Sequence, residues 1–318
     1  MTAFGHDTEA KEVVSQFHDQ IVGKTVVVTG ASNQTLGSGT AISFARAKPA
    51  NLILLARSES KVKPVIDEIK QMDSSINAVF VPVDLTDNDS VRKAAADISG
   101  LVDKIHFLIN NAGVMAIPFS KNKHGIEMTL AANHVGHFLF TNLLMDKIIA
   151  AGAGARIVNL TSLGHFIGPF RFLDYNFADG KNYERWSAYG QSKTANVLFS
   201  VSLAQKLAKH GIQSFSVHPG SIYTTQLATH LQMEEFLEIE KVTKMNNGWG
   251  FSVSQPKSIE QGVSTTLRAA IDPNIAPQSG AYMSDCNIEP AAQYASIPEY
   301  ARELWQLSEE LVGQKFDI

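Results

Sequence analysis

Tyr189 and Lys193 stand four residues apart in the stretch Tyr189-Gly-Gln-Ser-Lys193. They head a run in which Val197, Leu198, Val201, Ala204 and Leu207 recur at helical spacing. Residues four apart on a helix share a face, so phenol and ammonium would enter the same space. A cation beside a phenol favours phenolate and draws the tyrosine pKa down from its reference of about 10. Such a phenol can protonate a carbonyl oxygen or take the proton of an alcohol. A surface helix carrying an ordinary lysine explains the spacing equally well until further residues join it. Thr161-Ser162 ends an apolar run, and its hydroxyls would emerge at the same rim. There Ser162 could hydrogen-bond a substrate carbonyl oxygen while Tyr189 protonates it. An exposed serine also suits a Ser-His-Asp hydrolase, but no G-x-S-x-G elbow surrounds Ser162.

The elements that must hold these groups follow from the apolar pattern. Residues 24–29, Lys-Thr-Val-Val-Val-Thr, form a continuous β-branched run, the mark of a strand buried on both faces. Further strands are expected at 51–56, 78–83, 105–109, 156–160 and 213–217, with a short last one at 280–283. Helical spacing is expected at 7–20, after Gly37, at 58–72, 87–101 and 125–150, from Tyr189 onward, and at 257–271 and 298–312. Asp87 sits near the N-cap of its helix. Strict β/α alternation implies right-handed crossovers and an α/β fold: one doubly wound, Rossmann-type parallel sheet of about seven strands, with helices on both faces. Ligands of such sheets sit at the C-terminal ends of the strands. No linker or repeat divides the chain, so residues 1–318 read as one domain. Residues 1–23 are an N-terminal helical extension and 286–318 a C-terminal one.

At that rim several motifs suit a dinucleotide. Thr29-Gly30 ends the first strand and Gly37 opens the first helix, where a pyrophosphate meets backbone N–H groups and the helix dipole. A plain tight turn is the ordinary alternative. Arg57 follows the second strand, where the adenosine ribose would lie. An arginine there suits the 2′-phosphate of NADP, whereas an acid would suit NAD, the less expected cofactor. Asp84-Leu85 could meet the adenine edge or merely cap a helix. In Asn110-Asn111-Ala112-Gly113 small residues and amides allow close approach to the cofactor. Asn133 and His137 share a helix face. The His134/His137 spacing invites a metal reading, but no acidic or cysteine ligands accompany it and no metal is expected.

Bulk properties narrow the classes. With 318 residues, 44% hydrophobic and 18% charged, the chain can bury a sizeable core. A net charge of −4 and a pI near 6.2 argue against a nucleic-acid partner. The single cysteine, Cys286, precludes an intrachain disulfide. Residues 1–20 lack the apolar core of a signal peptide, and no run is long enough to span a membrane. A soluble, cytoplasmic protein is expected.

Seven motifs fall in order: Thr29-Gly30…Gly37, Asp84-Leu85, Asn110-Asn111-Ala112-Gly113, Asn133, Ser162, Tyr189-x-x-x-Lys193 and Pro219-Gly220-x-x-x-Thr224. Together they resemble the short-chain dehydrogenase/reductase family across about residues 24–285. The wording around Asn133 and Tyr189 is similar to its retinol dehydrogenase-like branch, with soluble fungal members nearest in flavour. The resemblance implies an NADP(H)-dependent alcohol dehydrogenase or carbonyl reductase, in the setting of secondary metabolism. In the reductive direction NADPH would deliver hydride while Tyr189 protonates the oxygen. Lys193 would lower the Tyr189 pKa and hold the nicotinamide ribose. Ser162 would position the carbonyl, and Asn133 would keep a water in a relay to Lys193. Pro219, Gly220, Ile222 and Thr224 would wall the nicotinamide. Family members often pair through the two long helices containing Asn133 and Tyr189, so homodimer, homotetramer and monomer stay open.

The chain departs from the family at Thr29-Gly-Ala-Ser-Asn-Gln-Thr-Leu-Gly37, one residue longer than the usual loop. Aligned on Leu36-Gly37, Gln34 or Thr35 replaces the middle glycine, and the hydroxyls of Ser32 or Thr35 become candidate phosphate donors. The segments 164–186, with Phe166, Phe170, Phe172, Tyr175 and Phe177, and 225–256 are expected as pocket insertion and lid. They suit a bulky, largely apolar or aromatic carbonyl or alcohol substrate, unless the aromatics only pack the loop down. The competing reading from another class is a catalytically idle NADP(H) sensor or scaffold. An epimerase or dehydratase sharing the Tyr/Lys pair would resemble a longer chain.

Overall fold

The computed structural model describes residues 4–318. Its frame is one eight-stranded sheet in the order β3-β2-β1-β4-β5-β6-β7-β8. The strands are β1 (Thr25–Thr29), β2 (Asn51–Ala56), β3 (Asn77–Pro82), β4 (Phe107–Asn110), β5 (Arg156–Leu160), β6 (Gln213–Val217), β7 (Tyr282–Ser284) and β8 (Asn287–Glu289). The first seven run parallel, and β8 pairs antiparallel with β7. The expected sheet of about seven strands is present. The eighth is too short to show a period of its own.

All five residues of β1 are buried, with Val27 facing one core and Val26 and Val28 the other. That alternation is why the strand reads as unbroken apolar sequence. On one face lie α1 (Ala10–Gln16), α2 (Leu36–Ala45), α3 (Glu59–Met72) and α11 (Ile259–Ile271). On the other lie α4 (Asn88–Leu101), α6 (Gly136–Leu143), α7 (Met145–Ala151), α8 (Arg185–Leu207) and α12 (Pro298–Val312). Asp87 caps α4 through a bond from Asp89 N–H. Of the expected N-terminal extension, residues 1–3 lie outside the described residues. Among the described residues no helix is long and apolar enough to cross a membrane.

The expected long helix at 125–150 is broken where the site needs it. After the single turn α5 (Met128–Leu130), residues Ala131–Val135 form a wider π-helical turn before α6 begins. Such turns arise where a helix is bent by local demands, often at functional sites. Buried Glu127 starts the segment, its carboxylate accepting the Thr129 and Leu130 N–H groups, both at 2.8 Å. At its other end, Gly136 packs so tightly on the Leu85 carbonyl that a Cβ would fall 2.1 Å from it.

Segment 225–256, expected as a lid, differs from all of this. It holds the single turn α9 (Met233–Phe236) and α10 (Glu238–Asn247), and it leaves Met233, Leu237, Met245 and Val253 largely exposed.

Candidate active site

Tyr189 and Lys193 both lie on α8, each 5% exposed, with the ammonium 5.6 Å from the centre of the phenol ring. Lys193 Nζ donates to the Leu160 carbonyl at the end of β5, 3.1 Å away. The neighbouring Thr161 hydroxyl returns the contact by donating to the Lys193 carbonyl at 2.8 Å. The strand end and the helix are thereby fixed to each other. Ser162 follows in extended backbone, its Oγ accepting the Gly164 N–H at 3.0 Å. Gly164 lets the phenol lie close: a Cβ there would sit 2.7 Å from the Tyr189 ring and 3.4 Å from Ser162 Oγ. Ser162 and Tyr189 thus flank one position from two elements. Gly164 is a site residue that the sequence reading leaves inside an insertion, and only its contact with Tyr189 distinguishes it.

Burial governs the titration of the pair. It pushes the Tyr189 phenol up to about 12, against the opposing pull of the Ser162 hydroxyl. It pushes the Lys193 ammonium down to about 8. The phenol shift runs opposite to the lowering expected from the Lys193 charge, because desolvation of the phenol is its largest cause. At neutral pH the phenol carries its proton.

Asn133 lies in the π turn, fully buried. Its Oδ1 accepts the Val114 N–H at 2.8 Å, and its Nδ2 donates to the Val114 carbonyl and to Ser192 Oγ, both at 2.9 Å. The side chain of Asn133, the residue expected to keep a water, thus locks the loop after β4 against α8. A Cβ on Gly113 would lie 3.1 Å from Asn133 Oδ1 and 3.5 Å from Lys193 Nζ, so these three residues converge.

His137 and His134 part company. His137 Nδ1 donates to the Asn133 carbonyl at 3.1 Å, leaving Nε2 to accept from the Thr29 hydroxyl at 2.8 Å. Thr29 Oγ1 in turn accepts the Asn111 and Ala112 N–H groups at 2.9 and 3.0 Å. His134 instead reaches Ser308 on α12, 2.8 Å away. Among the described residues no three His, Cys, Asp or Glu side chains gather as a metal site requires.

The glycine loop is a cradle built on close approach. Gly30, at φ +70°, lies where a Cβ would stand 2.8 Å from Ala112 Cα, and a Cβ on Gly37 would be 2.4 Å from the Gly30 carbonyl. Asn111 Nδ2 also donates to the Thr29 carbonyl at 2.8 Å. Gln34 adopts φ +61°, a left-handed conformation that favours glycine. The lengthened loop thus keeps the turn without the residue suited to it. Thr35 is the N-cap of α2, accepting the Ser38 N–H at 3.2 Å. Its own proton goes to the Ser32 carbonyl at 2.7 Å or the Gly30 carbonyl at 3.0 Å. Thr35 therefore holds the loop shut instead of offering a hydroxyl to phosphate, which leaves Ser32 as the candidate. Leu36 and Ile222 both approach Gly262 of α11.

Arg57 is exposed just past β2 and forms no ion pair with a described residue. Asp84 Oδ1 accepts from Thr86 N–H and Oγ1 at 2.9 and 2.7 Å, closing a local turn, while the cap of α4 is Asp87. Pro219 and Gly220 follow β6 half-buried, whereas Thr224 is exposed at the start of the lid.

An apolar cluster covers the phenol: Ala116, Ile167, Trp186, Ile239 and Val242 with Tyr189, and Met115, Leu231, Phe236 and Phe251 around them. The lid is held over it by Trp186 Nε1 donating to Glu235 O at 3.1 Å and Asn246 Nδ2 to Ser187 Oγ at 2.9 Å. Arg185 pairs with Glu235 and Glu238. The aromatics of 164–186 mostly look elsewhere. Phe170 belongs to the core beneath α12, with Phe172 and Tyr175 packed against it, and Phe177 meets Tyr183. From that segment it is Ile167 that joins Trp186 over the phenol.

A family model described as short chain dehydrogenase matches residues 24–235. The chain belongs to the short-chain dehydrogenase family. It is 36% identical over 298 residues to human retinol dehydrogenase 11, covering 94% of this chain and 88% of that protein. The fold resembles that of an uncharacterized protein from Mycobacterium paratuberculosis (TM-score 0.71, 28% identity, 93% of this chain and 96% of that one). It also resembles an NADPH-bound carbonyl reductase from chicken fatty liver (TM-score 0.61, 20% identity, 86% and 100%). As a member of this family the protein is an oxidoreductase acting between CH–OH and C=O.

Proposed function

We propose that the protein is an NADP(H)-dependent reductase of bulky, largely apolar ketones or aldehydes, with Tyr189 as general acid and base. The observation that carries this reading is the apolar cluster resting on the Tyr189 ring, with Ser162 at the phenol's edge. Bound at the strand ends, NADPH would supply hydride. The chain supplies the rest. Gly30, Gly37, Asn111 and Ala112 leave room for backbone approach, and the half-buried Ser32 is placed to meet a phosphate. Exposed Arg57 suits the 2′-phosphate. Ser162 orients the carbonyl oxygen, and Tyr189, protonated at neutral pH, gives it a proton. Lys193 holds the ribose hydroxyls from its seat on the Leu160 carbonyl, while Asn133 acts as a positioning residue. The packing of α12 on α8 covers one of the two long helices through which family members pair, which supports a monomer.

The test is consumption of NADPH and of NADH against a panel of ketones, aldehydes and quinones, for wild type and Arg57→Ala. The expected result is NADPH-dependent turnover, with Arg57→Ala raising the KM for NADPH about tenfold or more and leaving that for NADH unchanged. Equal use of both cofactors, or equal loss with both, contradicts the NADP assignment. Tight NADPH binding without turnover on any substrate favours the sensor reading.

A further inference from the structure

The lid leaves and rejoins the core through one neck. There Ser221 and Pro256 form a parallel bridge, and the hydroxyls of Ser221 and Ser254 lie 2.8 Å apart. Lys257 N–H donates to the Ser221 carbonyl at 2.9 Å. From that point the Lys257 side chain, 0% exposed, runs beneath Gly220. A Cβ on Gly220 would lie 2.6 Å from Lys257 Cδ, and Gly220 is itself left-handed at φ +94°. The lysine stem thus fills the space under the segment that follows β6.

The ammonium ends 2.5 Å from Asp285 Oδ1. This is an ionic contact lacking good hydrogen-bond alignment, and Nζ finds no aligned acceptor among the described residues. Asp285 and Cys286, at φ +49° and +60°, are the two residues of the tight turn between β7 and β8. The turn is anchored in its own right. Cys286 N–H donates to Thr265 Oγ1 at 3.0 Å, and the Arg268 guanidinium donates to the Cys286 carbonyl. The antiparallel eighth strand therefore presents a carboxylate to the lid's neck from a fixed frame.

Burying an ammonium with one imperfect partner is costly, and a leucine or methionine would fill the same volume without that cost. What the ion pair adds is direction: it fixes where the neck meets the sheet edge. We propose that Lys257 and Asp285 are positioning residues for hydride transfer. They hold Pro219-Gly220-Ser221 and the base of the lid at a set distance from Tyr189. This inference rests on the NADPH-dependent reduction proposed above, in which that segment walls the nicotinamide.

The experiment uses the full chain as wild type, Lys257→Met, Lys257→Arg and the charge-free double variant Lys257→Met/Asp285→Leu. The readouts are Tm, substrate KM, kcat and the primary isotope effect with NADPH deuterated at C4. Misplacement of reacting atoms by about 1 Å costs about 100-fold in rate. The expected result is that Lys257→Met and the double variant fold, with kcat lowered about 10- to 100-fold. The isotope effect rises, substrate KM stays within about threefold, and Lys257→Arg recovers part of kcat. A double variant with wild-type kcat and isotope effect overturns the proposal, because the pair then serves folding alone. So does a substrate KM that carries the whole loss. A wild type that turns over no carbonyl overturns the reductase reading instead, and the inference falls with it.

Discussion

Beneath the phenol, Asn133, Thr161, Ser192 and Lys193 are each at most 5% exposed and are bonded strand to helix. Above it, Met233, Leu237, Met245 and Val253 of the lid are 61–78% exposed. The lid is tied down by a few side-chain bonds from Arg185, Trp186, Asn246 and Asn247 and by its neck. Cooperative cores open rarely, while segments with few buried contacts open at low cost. A rigid floor suits groups that must be held in fixed geometry, and a lightly tied segment suits one that opens. Under the proposed function, the type of reaction would belong to the floor and the choice of substrate to the lid.

That division can be broken from either side. The largest effect is expected in the cradle beside the floor. Gly37→Val forces a Cβ within 2.4 Å of the Gly30 carbonyl, so the loop must shift. We expect a loss of about 3 kcal/mol or more in denaturant unfolding and loss of cofactor binding by titration. A stable, NADPH-binding Gly37→Val protein contradicts the cradle.

Next comes Lys193→Met. Burial holds the Lys193 ammonium near 8 against its ordinary 10.5. Between those values the unfolded chain binds more protons, so wild-type stability rises as pH climbs from about 8 to 10. The penalty is fully present below 8. Lys193→Met removes it, and we expect a gain on the order of 2 kcal/mol at pH 7 together with a kcat loss of about 100-fold. A variant destabilised at pH 7 would show that the lysine supports the fold.

A smaller, different effect is expected from the lid. Phe236→Ala removes a ring tilted at 48° to Trp186 with centroids 5.5 Å apart, in the cluster over the phenol. We expect substrate KM to rise about tenfold, with kcat within about threefold and Tm nearly unchanged. If kcat falls as far as KM rises, the lid takes part in chemistry and the division fails. The smallest effect is expected at Gln34, whose φ of +61° glycine would tolerate better. Gln34→Gly should be neutral to stabilising by up to about 1 kcal/mol in thermal unfolding.

How much of this was legible depended on how local the signal was. The β1 run and the Pro298–Val312 helix were readable because an unbroken β-branched run marks the one and helical apolar spacing the other. The cradle was readable because Gly30 and Gly37 flank a strand-to-helix turn. The π turn at Asn133 was not: its residues continue a helical pattern, and the side-chain bonds of Asn133 to Val114 accompany the widened turn. Thr35 stood beside Ser32 as one of two candidate phosphate donors because its chemistry allows it, whereas its capping bond depends on where Ser38 N–H points. Gly164, Lys257 and Asp285 carry no sequence signal. Each matters through a neighbour distant in the chain, and burial, not spacing, sets the Tyr189 and Lys193 pKa values.

In the proposed reaction the Tyr189 hydroxyl delivers the proton while the surrounding floor merely holds it. Tyr189→Phe keeps the ring against Gly164 and the apolar cluster and removes only that hydroxyl. Assayed with NADPH and the best carbonyl of the panel, it should bind NADPH as wild type does and lose about 1,000-fold in kcat. Turnover within tenfold of wild type at unchanged NADPH affinity would contradict the account.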